Sequence, residues 1–206
     1  MTASFPIPTL NGQFVSLAPM SLDHVDALVE AANEDRSTYG YTEVPTSREQ
    51  MTAYVLGLLE QHQNDLMMPF VQIEASSDTV VGATRYLTIR CEAGRTFPFA
   101  VEIGGTWLAA SSQRTRINTE AKLLLLDYAF STWQAVRVDF KTDARNDRSR
   151  VAIQRLGAVY EGVLRKSQSS LVSGEELLFR DSAYFSILDT EWPMVQSELR
   201  SRIGAR

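Results

Sequence analysis

The amino-acid sequence predicts one domain, residues 1–206, of the α/β (α+β) class, in which helices flank a mixed sheet. Its 206 residues and 23.0 kDa suit a single hydrophobic core. Hydrophobic residues make up 44% and charged residues 22%, the balance of an ordinary globular domain. Segments with a period of two and segments of helical period follow in the order β-α-α-β-β-β-α-β-α-β-β-α. A run of strands beside two crossover helices is typical of a mixed sheet.

The N-terminal half predicts one strand, two helices and three further strands. Apolar residues at helical spacing follow a candidate N-cap at Ser21, and a second apolar stripe begins near Ser47. Alternating apolar residues bounded by turn signals predict the strands. The paired glycines Gly104 and Gly105 interrupt the last strand and predict a bulge or a close backbone approach. The predicted elements are a strand at 14–17, helices at 22–33 and 47–63, and strands at 70–74, 80–89 and 100–109.

The C-terminal half predicts three helices and three strands. The first helix, at 119–132, is apolar nearly all round, so we expect it to be deeply buried, with Asn118 or Thr119 as its cap. Asn146 is expected to cap a helix that Gly157 ends. The remaining predicted elements are strands at 135–142, 159–165 and 183–188 and helices at 147–156 and 192–203.

Net charge and residue counts argue against several classes of function. The formal net charge of −5 and the pI of about 5.1 disfavour a general nucleic-acid binder and a surface built for anionic lipid. One cysteine, Cys91, and two histidines, His24 and His62, leave no internal disulfide and little for a metal centre. Residues 1–10 lack the pattern of a secretory signal, and the aliphatic run at 123–126 is too short to span a bilayer. We expect a cytoplasmic protein without metal, nucleic-acid or membrane partners.

The candidate site lies in the stretch 102–122, EIGGTWLAASSQRTRINTEAK. A strand ends here, a polar loop follows, and a helix begins, so unpaired N–H groups and the positive end of the helix dipole favour an anion. Arg114 and Arg116 can bond phosphate oxygens through their guanidinium groups. Residues 113–155 carry nine basic and five acidic side chains although the whole chain is acidic. The stretch predicts a phosphate or pyrophosphate site; an ordinary crossover with solvated arginines explains the same residues.

This stretch resembles the acetyl-CoA-binding motif of the GNAT N-acetyltransferase superfamily, Q/R-x-x-G-x-G/A. It is most similar to the Rim-type branch, which includes the ribosomal-protein N-terminal acetyltransferases, with its E-I-G-x-x-W-L strand and Q-R-T-x-x-N-T-E-A-K loop. Later blocks of that branch appear at 146–158 (NDRSRVAIQRLGA) and 181–188 (DSAYFSIL). The resemblance runs from about Gly12 to Pro193. It implies one GNAT domain with a mostly antiparallel twisted sheet and direct acetyl transfer from acetyl-CoA to a primary amine.

The resemblance also implies which residues bind the cofactor. Arg116 and Asn118 stand where the general motif has glycine, although Asn118 fits the branch. We therefore expect Arg116 to bind through its backbone, with its side chain pointing outward or onto the 3′-phosphate. The implied cofactor-binding residues are Trp107, Leu108, Ala109, Gln113, Arg114, Thr115, Arg116, Ile117, Asn118, Thr119, Asn146 and Ser149.

Transfer of an acetyl group to an amine needs a base, an oxyanion donor and an acid for the thiolate. Glu102 is the candidate base, acting through a water, unless it is a solvent-facing strand residue. The backbone around Trp107 and Leu108 is the implied oxyanion donor, while the Trp107 side chain is expected in the core. Because the usual helix tyrosine is missing, Ser149 and Tyr184 are the candidate acids. Their alternatives are a first-turn helix serine and a buried sheet tyrosine.

The implied acceptor residues are Tyr39, Tyr41 and Glu43, in the loop between the first two helices. The acceptor is a protein or peptide N-terminus or a small aminoacyl compound, and a homodimer follows by family analogy only. A rival interpretation is an acyl-CoA-binding module of the same fold without turnover. Transfer of a longer acyl group is a third possibility.

Overall fold

The computed structural model describes residues 5–204, and in this range eight strands form one sheet. Residues 1–4, part of the segment 1–10 considered above for a secretory signal, and residues 205–206 lie outside the described residues. The elements follow the predicted order, preceded by one two-residue strand that the sequence did not predict. They are β1 (Leu10–Asn11), β2 (Val15–Pro19), α1 (Val25–Asn33), α2 (Arg48–Gln63), β3 (Met67–Glu74), β4 (Thr79–Arg90), β5 (Ala100–Leu108), α3 (Ile117–Asp127), β6 (Arg137–Asp143), α4 (Asp147–Arg155), β7 (Val159–Ser169), β8 (Phe179–Leu188) and α5 (Trp192–Gly204).

The sheet opens between β5 and β6. The strand order is β1-β2-β3-β4-β5-β6-β8-β7, and among the described residues every neighbouring pair is antiparallel except β5 and β6. That parallel pair joins only Ala100–Glu102 to Arg137–Asp139. Beyond Glu102 and Asp139 both strands continue without pairing to each other, while β6 stays paired with β8. A wedge-shaped gap therefore separates the carboxyl ends of β5 and β6.

Each face of the sheet packs its own hydrophobic core. Helices α1 and α2 bury Leu28 and Val55 against one face, here called the α1–α2 face. Helices α3, α4 and α5 bury Leu125, Ile153 and Leu199 against the other, the α3 face. None of the described helices combines the length and the apolar character of a membrane span. The mixed sheet flanked by helices confirms the predicted fold class.

The predicted bulge is present in β5. Ala83 pairs with Trp107 and Arg85 with Gly104, so β5 holds one more residue than β4 across this interval. Gly105 has a φ of +56°, and a Cβ there would collide with the Arg85 guanidinium, so the position requires glycine. The extra residue reverses the alternation of side chains after it. Leu108 consequently enters the core of the α3 face, whereas Trp107 enters that of the α1–α2 face.

The predicted cap of α3 is wrong, whereas that of α4 is confirmed. Helix α3 begins at Ile117, before Asn118 and Thr119, because the Thr115 hydroxyl accepts from the Ile117 N–H at 3.2 Å. Asn118 and Thr119 therefore lie in its first turn, and after Asp127 the helix continues as a π-helix over Tyr128–Thr132. In α4, Asn146 Oδ1 accepts from the Ser149 N–H at 3.0 Å. Gly157, with a φ of +93°, follows the end of the helix as expected.

Candidate functional site

Two helix N-termini flank the gap between β5 and β6. Helix α3 follows β5 through the loop 109–116, and α4 follows β6 after Asn146. Because β5 and β6 are parallel, both connections leave the same edge of the sheet. The first-turn N–H groups of both helices have no intrahelical acceptor and carry the positive ends of the dipoles. This edge therefore favours an anionic group.

The loop between β5 and α3 is held by Gln113. Its Nε2 donates to the Leu108 carbonyl at 2.8 Å and to Thr38 Oγ1 at 3.0 Å, and Arg148 on α4 donates to its Oε1. One side chain thus joins the end of β5, the segment after α1 and the first turn of α4. Ala109 is buried beside it, and its N–H donates to the Val81 carbonyl at 2.8 Å.

The two loop arginines differ in conformation. Arg116 has a φ of −73°, which any residue can adopt, and its guanidinium lies over the Phe14 ring at 4.7 Å. The left-handed position falls instead on the exposed Arg114, with a φ of +61°, at a cost of about 1 kcal/mol for a non-glycine residue. Thr115 donates to the Ser112 carbonyl at 2.7 Å and so shapes the turn between them.

The end of β5 turns backbone groups toward the gap, and the first turn of α3 carries a buried polar atom without a partner. The Ala109 N–H donates to Val81 on β4, so the alternation of an antiparallel ladder turns the Leu108 N–H toward the β6 side. The Leu108 carbonyl, on that same side, accepts from the Tyr39 hydroxyl at 2.9 Å. Asn118 Oδ1 is buried and has no hydrogen-bond partner. A ligand carbonyl between β5 and β6 would match the Leu108 N–H, and a ligand N–H group would satisfy Asn118 Oδ1.

Glu102 lies where the two strands part. Its side chain is buried, so the alternative of a solvent-facing strand position is wrong. Oε2 accepts from Thr88 Oγ1 at 3.1 Å and lies 3.1 Å from Lys141 Nζ. Lys141 belongs to β6 beyond the last residue that pairs with β5, so this ion pair spans the opening. Tyr184 is opposite Lys141 in the β6–β8 register and shares its face of the sheet.

Sequence reasoning missed a buried cation in this group. Arg180 on β8 is buried, and burial lowers the pKa of its guanidinium below the usual value. The nearby charges of Asp143 and Glu102 act in the opposite direction on that pKa. Asp143 also pairs with Arg145 at 2.7 Å. The alternation of charged residues along β6 is the sequence signal that could have indicated a polar face here.

The predicted acceptor loop lines a cavity of about 370 Å³ between the segments 36–44 and 170–176. Tyr39 and Glu43 form part of its wall. The Tyr39 ring meets Trp107 edge-on, with centroids 6.2 Å apart, and burial raises the pKa of the Tyr39 hydroxyl. Tyr41 lies under the Arg145 guanidinium at 5.6 Å. Tyr39 therefore connects the cavity with the end of β5.

The two candidate acids occupy different surroundings. Tyr184 is half-buried on the face that holds Glu102 and Lys141. Ser149 lies in the first turn of α4, whose buried Ile153 packs in the core of the α3 face. Within residues 5–204, no hydrogen bond or ion pair joins Ser149 to Glu102 or Tyr184. The structure groups Tyr184 with Glu102 and leaves Ser149 beside the helix N-terminus.

Two buried charged residues of α3 were not singled out from the sequence. Glu120 accepts hydrogen bonds of 2.6 to 2.9 Å from three backbone N–H groups at the start of β2, those of Gln13, Phe14 and Val15. Lys122 donates to the hydroxyl groups of Thr84 and Thr106, which lie on the neighbouring strands β4 and β5. Charged residues inside an otherwise apolar helix were the available signal. In the part of the chain that is described, no cluster of three or more metal-ligating side chains occurs, and Cys91 is exposed.

The mostly antiparallel sheet, which opens between two parallel strands with helix N-termini at the opening, matches the fold of solved GCN5-related acetyltransferases. A family model described as an acetyltransferase (GNAT) domain matches residues 15–159. The chain belongs to the GNAT acetyltransferase family, which confirms the resemblance inferred from its motifs. No curated protein sequence matches it significantly.

Solved structures support the same assignment. A GCN5-related N-acetyltransferase from Brucella melitensis is 25% identical, with a TM-score of 0.82 over 98% of this chain and 87% of that one. A presumed acetyltransferase from T. thermophilus is 33% identical, with a TM-score of 0.79 over 98% of this chain and 99% of that one. Mycobacterium smegmatis RimJ, solved in complex with CoA-disulfide, shares the fold at 22% identity, with a TM-score of 0.78 over 95% of each chain.

Proposed function

We propose that this protein is an acetyl-CoA-dependent N-acetyltransferase that transfers the acetyl group directly to a primary amine. The observation that carries the proposal is the gap between β5 and β6, with two helix N-termini at its mouth and a buried carboxylate at its closed end. Acetyl-CoA, when bound, supplies the activated acetyl thioester. Membership of the GNAT family supports acetyl transfer in general.

We assign the cofactor to the gap and to the loop before α3. The first-turn N–H groups of Asn118 and Thr119 would bond phosphate oxygens, with Arg114 and Arg116 adding positive charge. The buried Asn118 Oδ1 needs a donor, and the amide groups of the pantetheine arm are donors of that kind. The Leu108 N–H, which points to the same side, would bond the thioester oxygen as negative charge develops there.

Glu102 is assigned as the base for the acceptor. An amine that enters from the cavity beside Tyr39 arrives on the α1–α2 face, where the carboxylate lies. Glu102 would accept the proton of the ammonium group through a water, and Lys141 holds the carboxylate in place at 3.1 Å. Tyr184 is the better-placed acid for the departing thiolate, because it shares that face. Ser149 remains the second candidate.

We propose a protein or peptide N-terminus or a small aminoacyl compound as the acceptor. RimJ and a RimL described as a ribosomal L7/L12 alpha-N-protein acetyltransferase share the fold and are consistent with a peptide amine. The cavity walls at 36–44 and 170–176 support an acceptor larger than a simple amine. A cytoplasmic location and a homodimer stay predictions.

An acyl-CoA-binding module without turnover is the second candidate function. The observation that favours it is the ion pair between Glu102 and Lys141, because Oε2 of the buried carboxylate is already bonded to Lys141 and Thr88 and so is less available to a proton.

A CoA-release assay against amines and N-terminal peptides, run beside calorimetry with acetyl-CoA, separates the candidates. The transferase is supported if Glu102→Gln releases CoA more slowly than the wild type and binds acetyl-CoA with unchanged affinity. Tight binding without release on any amine supports the binding module, and absence of CoA binding contradicts both.

A further inference from the structure

Lys122 is a buried cation to which none of the roles above assigns a function. Its side chain lies between α3 and the sheet and is 5% exposed. Nζ donates to Thr106 Oγ1 at 2.6 Å and to Thr84 Oγ1 at 3.0 Å, and the two hydroxyl groups lie 2.9 Å apart. No ion pair within residues 5–204 includes it.

This arrangement costs stability. A buried ammonium group without a counter-charge loses its hydration, and two neutral hydroxyl groups replace only part of it. Burial accordingly lowers the pKa of Lys122 to about 7. A methionine has a similar length, and without the lysine the hydroxyl groups of Thr84 and Thr106 still bond each other. An apolar residue would therefore fill the position at lower cost, so packing alone does not explain the lysine.

The partner of Lys122 on β5 occupies a special place. Thr106 directly follows the Gly104–Gly105 bulge and precedes Trp107 and Leu108. The bulge interrupts the regular ladder with β4, so this stretch needs another contact to hold its position. Lys122 supplies that contact from α3, one helical turn after Asn118.

We propose that Lys122 is a positioning residue that, through Thr106, fixes the bulged end of β5 against α3. It would thereby fix the position of the Leu108 N–H, assigned to the thioester oxygen, relative to the first turn of α3, assigned to the phosphates of acetyl-CoA. The inference rests on the proposed function. Lys122 lies on the α3 face, whereas the acceptor cavity lies on the other face and meets the end of β5 through Tyr39, so we expect a smaller effect on the acceptor site than on acetyl-CoA binding.

Lys122→Met tests the proposal, with the Kd of acetyl-CoA by calorimetry, the Tm, and the KM values and kcat as readouts. We expect the Kd of acetyl-CoA to rise about 10-fold and kcat/KM for acetyl-CoA to fall about 10-fold, because misplaced binding groups weaken both. The KM of the amine should change less than about 2-fold, and the Tm should not fall, since a buried charge is removed.

Two threonine variants provide the matched controls. Thr106→Val should reproduce the loss of acetyl-CoA affinity, and combined with Lys122→Met it should add nothing, as expected for two residues of one contact. Thr84→Val, which removes the hydroxyl group on β4 but leaves the bond between Lys122 and Thr106, should change the Kd less than about 2-fold. If Lys122→Met fails to fold, Thr106→Val carries the test alone.

Three results would overturn the proposal: an unchanged Kd in a folded Lys122→Met protein, equal losses in Thr84→Val and Thr106→Val, or a wild-type protein that binds no CoA. A wild-type protein that binds acetyl-CoA without acetylating any amine contradicts the proposed function only. The Kd comparison then still decides the role of Lys122.

Discussion

The two faces of the sheet differ in the groups that contact their buried charged side chains. On the α1–α2 face, Glu102, Asp139 and Asp143 each lie beside a basic side chain. On the α3 face, Glu120 bonds only backbone N–H groups, and Lys122 bonds only hydroxyl groups. The paired charges lie on the face of the sheet from which the acceptor enters in the proposed function. Glu120 and Lys122, which have no ionic partner among the described residues, instead join α3 to neighbouring strands. We therefore expect them to affect the stability of the fold and the positions of those strands.

The largest expected effect is the pH dependence of stability caused by Lys122. Burial lowers its pKa to about 7 in the folded chain, whereas in the unfolded chain the usual value of 10.5 applies. Between these values the unfolded state binds more protons, so the free energy of unfolding rises with pH, by about 3 kcal/mol from pH 6 to pH 9 and mostly above pH 7.

Denaturant unfolding of the wild type and Lys122→Met at pH 6, 7, 8 and 9 measures this effect. The wild type should gain stability relative to the variant as the pH rises, and the difference should be nearly flat below pH 7. A constant difference between the two proteins would contradict a lysine desolvated on the α3 face.

The next largest effect concerns Glu120. Glu120→Ala removes the acceptor of three backbone N–H groups, at Gln13, Phe14 and Val15. We expect a loss of about 3 kcal/mol in the free energy of unfolding, because these donors are left without a partner in a buried position.

Urea unfolding monitored by circular dichroism measures the loss. Glu198→Ala on α5 is the matched control, because it removes a half-exposed pair with Arg202 and should cost less than about 1 kcal/mol. Equal losses in the two variants would contradict a special role of the buried carboxylate.

On the α1–α2 face, the expected effects concern turnover. Glu102→Gln keeps the shape of the side chain but removes the base, so kcat should fall about 100-fold. The Tm should change little, and the Kd of acetyl-CoA should stay within about 2-fold. Steady-state kinetics with the best acceptor from the panel give kcat, and a variant with wild-type kcat would remove the assignment of Glu102.

The smallest predicted effect distinguishes the two candidate acids. Tyr184→Phe should lower kcat about 10-fold, because its hydroxyl group lies on the face that holds Glu102. Ser149→Ala should lower kcat less than about 3-fold, because the backbone N–H of Ser149, rather than its hydroxyl group, bonds the Asn146 cap. The opposite ranking in initial-rate measurements would move the acid to the N-terminus of α4.

Much of the site could be anticipated from local patterns. The bulge at Gly104–Gly105 and the cap at Asn146 depend on residues close in the chain, so a single sequence contains the necessary information. The cap of α3 was misplaced because Thr115, Asn118 and Thr119 are all competent local acceptors, and their spacing does not decide among them.

The sequence by itself determined the fold class, the order of the elements and the position of the loop before α3, because periodicity, turn residues and the family motif are local. Tertiary structure alone decided which charges meet. The pair of Glu102 with Lys141 and the contact of Lys122 with Thr106 join different elements. Their geometry follows from strand register, the bulge and the packing of α3, all of which depend on the whole sheet and leave no trace in local spacing.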